Sequence, residues 1–141
     1  MSRRFLRLAF FLSVLVSAAA CQSPKAALLD SDSSQVALRS IQTRVFDTAD
    51  TERMVRTVMA TLQDLGFVID DANAFLGSVS ATKLDKYALR ITVTVRRRGE
   101  TQLLVRANAQ YELEPVEDPE PYQQFFTALG KAMFLTAHEV D

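Results

Sequence analysis

Two segments of strictly alternating polarity restrict the fold of this chain more than any other feature of its sequence. In the first, the alternation runs through Leu89, Arg90, Ile91, Thr92, Val93, Thr94, Val95 and Arg96. In the second, Leu103, Val105, Ala107, Ala109, Tyr111 and Leu113 alternate with Arg106, Asn108, Gln110 and Glu112. Since successive side chains of a strand point to opposite faces, the pattern predicts two antiparallel strands with one apolar and one polar face. If Val95 opposes Leu103, residues 98–100 form the loop, with Gly99 at positive φ.

Two further segments have the spacing of amphipathic helices. The first begins after the N-cap candidates Asp47, Thr48 and Asp50, and it ends at Gly66. Its apolar residues recur every three or four positions: Met54, Val55, Val58, Met59, Leu62 and Leu65. The second follows an acidic, proline-rich loop over 114–121, with Pro121 near its first position. Its stripe consists of Tyr122, Phe125, Phe126, Leu129, Ala132 and Met133, widened by Phe134 and Leu135.

The rest of the chain completes a sheet. Residues 36–46 are predicted to form a first strand, and residues 67–70 and 75–82 a hairpin around a turn at 71–73, with Gly77 as a bulge. A polar link follows over 83–86. The order is β-α-β-β-β-β-α, which predicts an α+β two-layer sandwich. We expect an antiparallel sheet of four to five strands with two helices on one face.

The N-terminal residues predict a secretory signal. Arg3, Arg4 and Arg7 precede an apolar stretch over 8–16 and small residues over 17–20. The stretch 15–21, ending at Cys21, resembles the lipobox of bacterial lipoprotein precursors, although Ala18 stands where leucine or valine is commoner. The resemblance implies a signal peptide over 1–20, acylation of Cys21, a lipidated flexible tether over 21–35 and a single domain over 36–141. A cleaved signal that leaves Cys21 as a free thiol is the alternative.

The resemblance to lipoproteins also implies a location. Because Gln22 follows the cysteine, lipoprotein sorting in Gram-negative bacteria would place the chain at the outer membrane, facing the periplasm. The motifs IQTR-x-FDT (41–48), LQDLGF (62–67) and YQQFF (122–126) resemble a family of small uncharacterised outer-membrane lipoproteins from such bacteria. This resemblance implies the same anchor and fold. It implies no activity.

Charge and motif content argue against several classes of function. Cleavage before Cys21 would leave 13 basic and 17 acidic residues, so the net charge does not favour nucleic-acid binding. His138 is the only histidine, with just Glu139 and Asp141 beside it. The carboxylates of Asp47, Asp50, Asp70 and Asp71 are explained as helix caps and turn residues. We therefore predict a protein that is not an enzyme, with no catalytic residue, no metal site and no cofactor.

Five arginines form the candidate binding site. Arg90, Arg96 and Arg106 are predicted to share the polar sheet face, with Arg97 and Arg98 at its tip. They are either a solvated face or a docking patch for an anionic partner, which Gln42 and Arg44 could extend. The first hypothesis is a non-enzymatic lipid-anchored protein, held at the membrane through Cys21, that binds another envelope protein during assembly or transport. The alternative is a carrier of a small lipid or peptide, which requires a pocket between sheet and helices.

Overall fold

The computed structural model describes residues 34–84 and 87–138, with side chains up to residue 134. Contacts within the chain divide it into two compact units, residues 1–35 and 36–141. Only residues 34 and 35 of the first unit belong to the described part.

Three helices and six strands make up the described part of the chain. Residues 34–41 are helical (α1), and the remaining elements in chain order are β1 (Thr43–Phe46), α2 (Thr51–Asp64), β2 (Val68–Asn73), β3 (Ser78–Leu84), β4 (Ala88–Arg98), β5 (Gln102–Tyr111), β6 (Glu114–Pro115) and α3 (Pro119–His138). All strands belong to one antiparallel sheet in the order β1-β5-β4-β3-β2, and β6 pairs with β5. The buried residues of α2 and α3 belong to one core with the apolar face of the sheet. The predicted α+β sandwich is therefore confirmed, with one strand more than expected.

The helix ends follow from local sequence. The Asp50 carboxylate accepts a hydrogen bond from the Arg53 N–H at 2.9 Å, which caps α2 as expected. Gly66 ends α2 in the left-handed conformation (φ 86°), and the Phe67 N–H donates to the Leu62 carbonyl. At α3, the Asp118 carboxylate accepts from the Glu120 N–H. This cap starts α3 at Pro119, two residues before the predicted position.

The predicted first strand over 36–46 is wrong in its first half. Residues 36–41 belong to α1, and only Thr43–Phe46 pair in the sheet. Leu38 and Ile41 are the partly buried residues of this stretch, and their spacing of three places them on one side of a helix. Residues 34 and 35, which we assigned to the tether, are helical as well.

The hairpin predicted after α2 is displaced along the chain. β2 continues through 71–73, and the turn lies at 74–77, where Phe75 is 97% exposed. The Asn73 side chain accepts from the Leu76 N–H, which closes the turn. Gly77 lies in this turn at φ 63°, and the bulge is in β2, between Ile69 and Asp71. The predicted link over 83–86 is wrong for its first two residues, because Lys83 and Leu84 pair with β4.

The β4–β5 hairpin has the predicted faces in a different register. Val95 pairs with Val105, and Arg98 pairs with Gln102, so the loop is 99–101. A shift of two residues leaves every side chain on its predicted face. β5 ends at Tyr111, because Glu112 turns the chain at positive φ toward β6. Leu113, which we expected to face the core, therefore lies beyond β5 and is 88% exposed. Phe134, which we placed in the apolar stripe of α3, is also exposed, at 63%.

The face of the sheet covered by the helices, here called the inner face, has two unlike ends. At the end next to the 99–101 loop, here called the closed end, the apolar inward side chains of β3, β4 and β5 are 0–3% exposed: Val79, Val93, Val95, Leu103, Val105 and Ala107. At the end where β3 meets β4 and β5 meets β6, here called the open end, Leu89 is half-buried and Tyr111 is 44% exposed. The helices therefore seal one end of the inner face and leave the other accessible.

Candidate functional site

A cavity of about 760 Å³ lies at the open end, between the sheet and the two larger helices. Its apolar lining consists of Leu65, Phe67, Leu89, Ile91, Ala109 and Phe125, with Pro121 at the start of α3. Pockets that hold small molecules in proteins are typically about 300–1,000 Å³ and mostly apolar. The cavity has the size and lining of a ligand-binding site.

The cavity exists because the helices do not cover the open end of the sheet. α2 ends at Asp64, so only Leu65 and Phe67 after it reach the cavity. α3 contributes residues of its first two turns, such as Phe125. Between these helix ends, β5 presents the short side chain of Ala109. At the closed end, the equally short Ala107 of β5 is fully buried.

Polar side chains line the same cavity in a defined order across the sheet. Lys83 on β3 pairs with Leu89 on β4, Leu89 pairs with Tyr111 on β5, and Tyr111 pairs with Glu114 on β6. Directly paired residues project from the same face of a sheet, and all four line the cavity. Neighbouring strands are about 4.8 Å apart, so three steps separate the backbones of Lys83 and Glu114 by about 14 Å. The cavity floor has a cationic residue at one end and an acidic residue at the other.

Neither end of this row is neutralised by the described residues. The Lys83 Nζ donates to the Leu65 carbonyl at 3.0 Å and lies 5.9 Å from the centre of the Phe67 ring. Among the described side chains, those of residues 34–84 and 87–134, the one ion pair joins Arg56 to Glu52 on α2 and includes none of the cavity residues. Lys83 therefore caps the end of α2 while its charge stays available to a ligand.

The wall beside the cavity is fixed by a buried hydroxyl. Tyr122 on α3 is fully buried, and its hydroxyl donates to the Val116 carbonyl at 2.7 Å. The same oxygen accepts from the Ala109 N–H and from the Gln42 side-chain amide, each at 3.2 Å. This hydroxyl ties the start of α3 to β5 and to the segment before β1. The Tyr122–Gln42 contact spans 80 positions, so local sequence patterns cannot reveal it.

The arginines predicted as a binding patch lie where the strand pattern placed them. Arg90, Arg96 and Arg106 project from the outer face of the sheet, opposite the helices, since they alternate with the buried residues of β4 and β5. Arg97 and Arg98 are exposed at the tip of the hairpin. No carboxylate of the described residues lies within ion-pair distance of these five side chains. Arg106 differs from the others, because it is half-buried and its Nε is enclosed without a hydrogen-bond partner.

The proposed extension of this patch is wrong. Gln42 is buried in the Tyr122 network. Arg44 lies on the inner face, opposite Val105, with its guanidinium 5.2 Å from the centre of the Phe126 ring. Its Nη1 donates to the carbonyls of Ser40 and Thr43. Both side chains have structural contacts away from the arginine face.

The remaining candidate residues do not converge. Cys21 and the side chain of His138 lie outside the described residues. Asp47 accepts from the Gln102 side chain, and Asp70 accepts from the Thr82 hydroxyl, so each is engaged separately. The part of the chain that the structure describes contains no group of three or more histidine, cysteine, aspartate or glutamate residues able to hold a metal ion. No helix within that part is long and apolar enough to span a membrane.

No model of a known protein family and no curated protein matches the chain.

Proposed function

We propose that this chain is a non-enzymatic, lipid-anchored periplasmic protein that holds a small, largely apolar ligand in the cavity at the open end. The cavity of about 760 Å³ is the observation that carries the proposal. Two tightly packed helices over the sheet would leave no such space, and a docking module would not require it. The structure thus favours the carrier over the docking module that the sequence suggested first.

The energetics of an apolar cavity support ligand binding. Each 100 Å² of apolar surface removed from water contributes about 2.5 kcal/mol, before the costs of association are subtracted. Leu89 and Tyr111 keep partly exposed apolar surface that a ligand would cover. Exposed apolar surface with a concave shape commonly marks a binding site.

A pair of matched substitutions tests this proposal. Leu89→Trp places an indole in the cavity, whereas Leu84→Trp adds the same group on the outer face of the sheet, where Leu84 is 82% exposed. The apolar dye N-phenyl-naphthylamine would be titrated into both variants and the parent chain. We expect Leu89→Trp to weaken dye binding at least about tenfold, because the side chain occupies the site, and Leu84→Trp to leave it unchanged. Absence of dye binding to the parent, or equal binding by both variants, would contradict the proposal.

A second candidate function is docking of an anionic envelope protein on the arginine face. The observation in its favour is that Arg90, Arg96, Arg97, Arg98 and Arg106 have no acidic partner among the described residues. Unpaired positive charge steers association with an acidic surface and makes the rate fall with salt.

The docking candidate is tested by charge reversal. Arg90→Glu combined with Arg96→Glu should abolish a specific crosslink to an envelope protein, since both side chains are exposed. Arg39→Glu combined with Arg56→Glu is the control, because it changes the net charge by the same amount elsewhere on the surface. A crosslink that survives the double reversal would exclude the arginine face as the docking site.

The anchor is tested separately. Cys21→Ser should release the protein from membranes into the soluble fraction, because acylation of this thiol would supply the attachment. Fractionation of cell envelopes after a high-salt wash measures the distribution. Retention of the Cys21→Ser protein in the membrane fraction would show that Cys21 is not the anchor.

A further inference from the structure

We infer that the ligand is a short peptide with apolar side chains and free termini, lying across the strands at the open end. In this arrangement its carboxylate is next to Lys83 and its amino group next to Glu112 and Glu114. The inference rests on the proposed ligand-binding function and names the class of ligand. The order of the charged residues across the cavity floor supports this assignment.

The row Lys83–Leu89–Tyr111–Glu114 sets the direction and length of the ligand. All four residues line the cavity, and Glu112 lines it at the same end as Glu114. An extended chain rises about 3.3 Å per residue, so a floor of about 14 Å corresponds to about four residues. A tetrapeptide therefore spans from the lysine to the glutamates.

The charges at the two ends favour a peptide over a fatty acid. Lys83 has three N–H donors, and one of them is used by the Leu65 carbonyl. A carboxylate would satisfy the remaining donors and the positive charge. A fatty acid could provide that carboxylate, but its chain would end against two carboxylates that it cannot pair. A peptide carries an ammonium group at the required end.

Polar groups along the cavity suit the backbone of a peptide. Tyr87 and Tyr111 contribute hydroxyl groups, which can donate and accept hydrogen bonds. The Gln124 amide nitrogen donates to Glu120 at 3.1 Å, which leaves its carbonyl oxygen able to accept from a peptide N–H. Leu89 and Phe125 provide apolar contact for side chains between these groups. A hydrocarbon chain would leave the polar groups unused.

Calorimetry with end-blocked peptides tests the inference. The mature chain with Cys21→Ser would be used, because detergent needed for an acylated protein would compete for the cavity. The probes are the tetrapeptide Ala-Leu-Phe-Ala with free ends, its N-acetylated form, its C-amidated form and dodecanoate. We expect the free peptide to bind and each blocked end to weaken binding about tenfold, because a charge-assisted hydrogen bond is lost.

Protein variants assign each end to a residue. In Lys83→Met the amidated and free peptides should bind equally, whereas N-acetylation should still weaken binding. In the double variant Glu112→Gln with Glu114→Gln the reverse should hold. A structural role of Lys83 at the end of α2 would change the melting temperature without changing the preference between ligand ends. If Lys83→Met does not fold, Lys83→Arg and the glutamate variants still test the inference.

Two results would overturn the peptide assignment and leave the proposed function intact. The first is dodecanoate binding that exceeds peptide binding while the apolar dye still enters the cavity. The second is equal affinity for the free and blocked peptides. If neither the dye nor any of these probes binds, the cavity is not a ligand site and the proposed function itself fails.

Discussion

The two ends of the inner face use the same strands and differ in packing. Ala107 and Ala109 are neighbours on one side of β5 and are 0% and 5% exposed, but only Ala109 lines the cavity. At the closed end the apolar inward side chains of β3, β4 and β5 are buried, as a core requires, whereas Arg44 and Arg97 on the same face stay exposed. The open end leaves apolar and charged residues accessible beside that core. The cavity therefore lies against the core and shares Ile91, Ala109 and Phe125 with it, while its accessible lining belongs to the open end alone.

The largest expected difference comes from truncating the same residue type at each end. Leu103→Ala should lower the free energy of unfolding by about 2–5 kcal/mol, because it leaves a void among fully buried neighbours. Leu89→Ala should cost about 1 kcal/mol, since Leu89 is half-buried and already borders open space. Urea denaturation measures both variants. Equal losses would mean that the two ends are packed alike.

The next largest loss of stability is expected at Gly77, in the turn beside the closed end. A Cβ at Gly77 would clash with the Val95 carbonyl, and its φ of 63° disfavours other residues. Gly77→Ala should therefore cost about 2–4 kcal/mol, from strain and displacement of the strand. Gly99→Ala has a similar φ of 66° and open space around it, so about 1 kcal/mol is expected. Thermal unfolding of the two variants separates the cost of the steric clash from the cost of placing alanine at positive φ. Similar melting temperatures for both would show that the clash with the Val95 carbonyl adds nothing.

Removal of the Tyr122 hydroxyl tests the wall beside the cavity. Tyr122→Phe should destabilise the fold by about 1–3 kcal/mol, because the Val116 carbonyl, the Ala109 N–H and the Gln42 amide lose their shared partner. Hydrogen exchange at Ala109 is the local measurement. Faster exchange there, with the closed-end amides unchanged, is the expected result. Unchanged exchange at Ala109 would show that the hydroxyl does not hold this wall.

The smallest effect is expected on the outer face, behind the cavity. Arg90 is exposed and lies next to Leu89 in the chain, on the opposite side of the sheet. Arg90→Glu should change the free energy of unfolding by no more than about 0.5 kcal/mol. Arg106→Glu should cost more, since its Nε is enclosed. A large loss for Arg90→Glu in chemical denaturation would mean that the strand faces are inverted.

Local patterns predicted the elements, and long-range contacts determined the site. Alternation along β4 and β5 fixes which side chains face the helices, even though the pairing register differs by two residues. Asp50 and Gly66 mark the ends of α2, because capping depends on neighbours in sequence. The polar sequence over 83–86 predicts that Lys83 lies in a link between strands. Its position on the cavity floor depends on pairing with Leu89 and on where α2 ends.

Residues 36–41 show a case in which the local pattern predicted the wrong element. Their mixed polarity predicts a strand, and the spacing of Leu38 and Ile41 covers too few residues to indicate a helix. The cavity has no sequence pattern of its own. It results from how far α2 and α3 extend over the sheet, which only the packed structure determines.

The most direct measurement compares Ala107→Leu with Ala109→Leu. Both substitutions add the same atoms to the inner face of β5, at the closed and the open end respectively. We predict that Ala107→Leu overpacks the core and costs about 1–3 kcal/mol of unfolding free energy, with dye binding retained. Ala109→Leu should cost less stability than Ala107→Leu, because Ala109 borders the cavity although it is itself only 5% exposed, and it should weaken dye binding about tenfold. A loss of stability for Ala109→Leu equal to that for Ala107→Leu, or undiminished dye binding by it, would contradict the claim that the open end is a binding cavity.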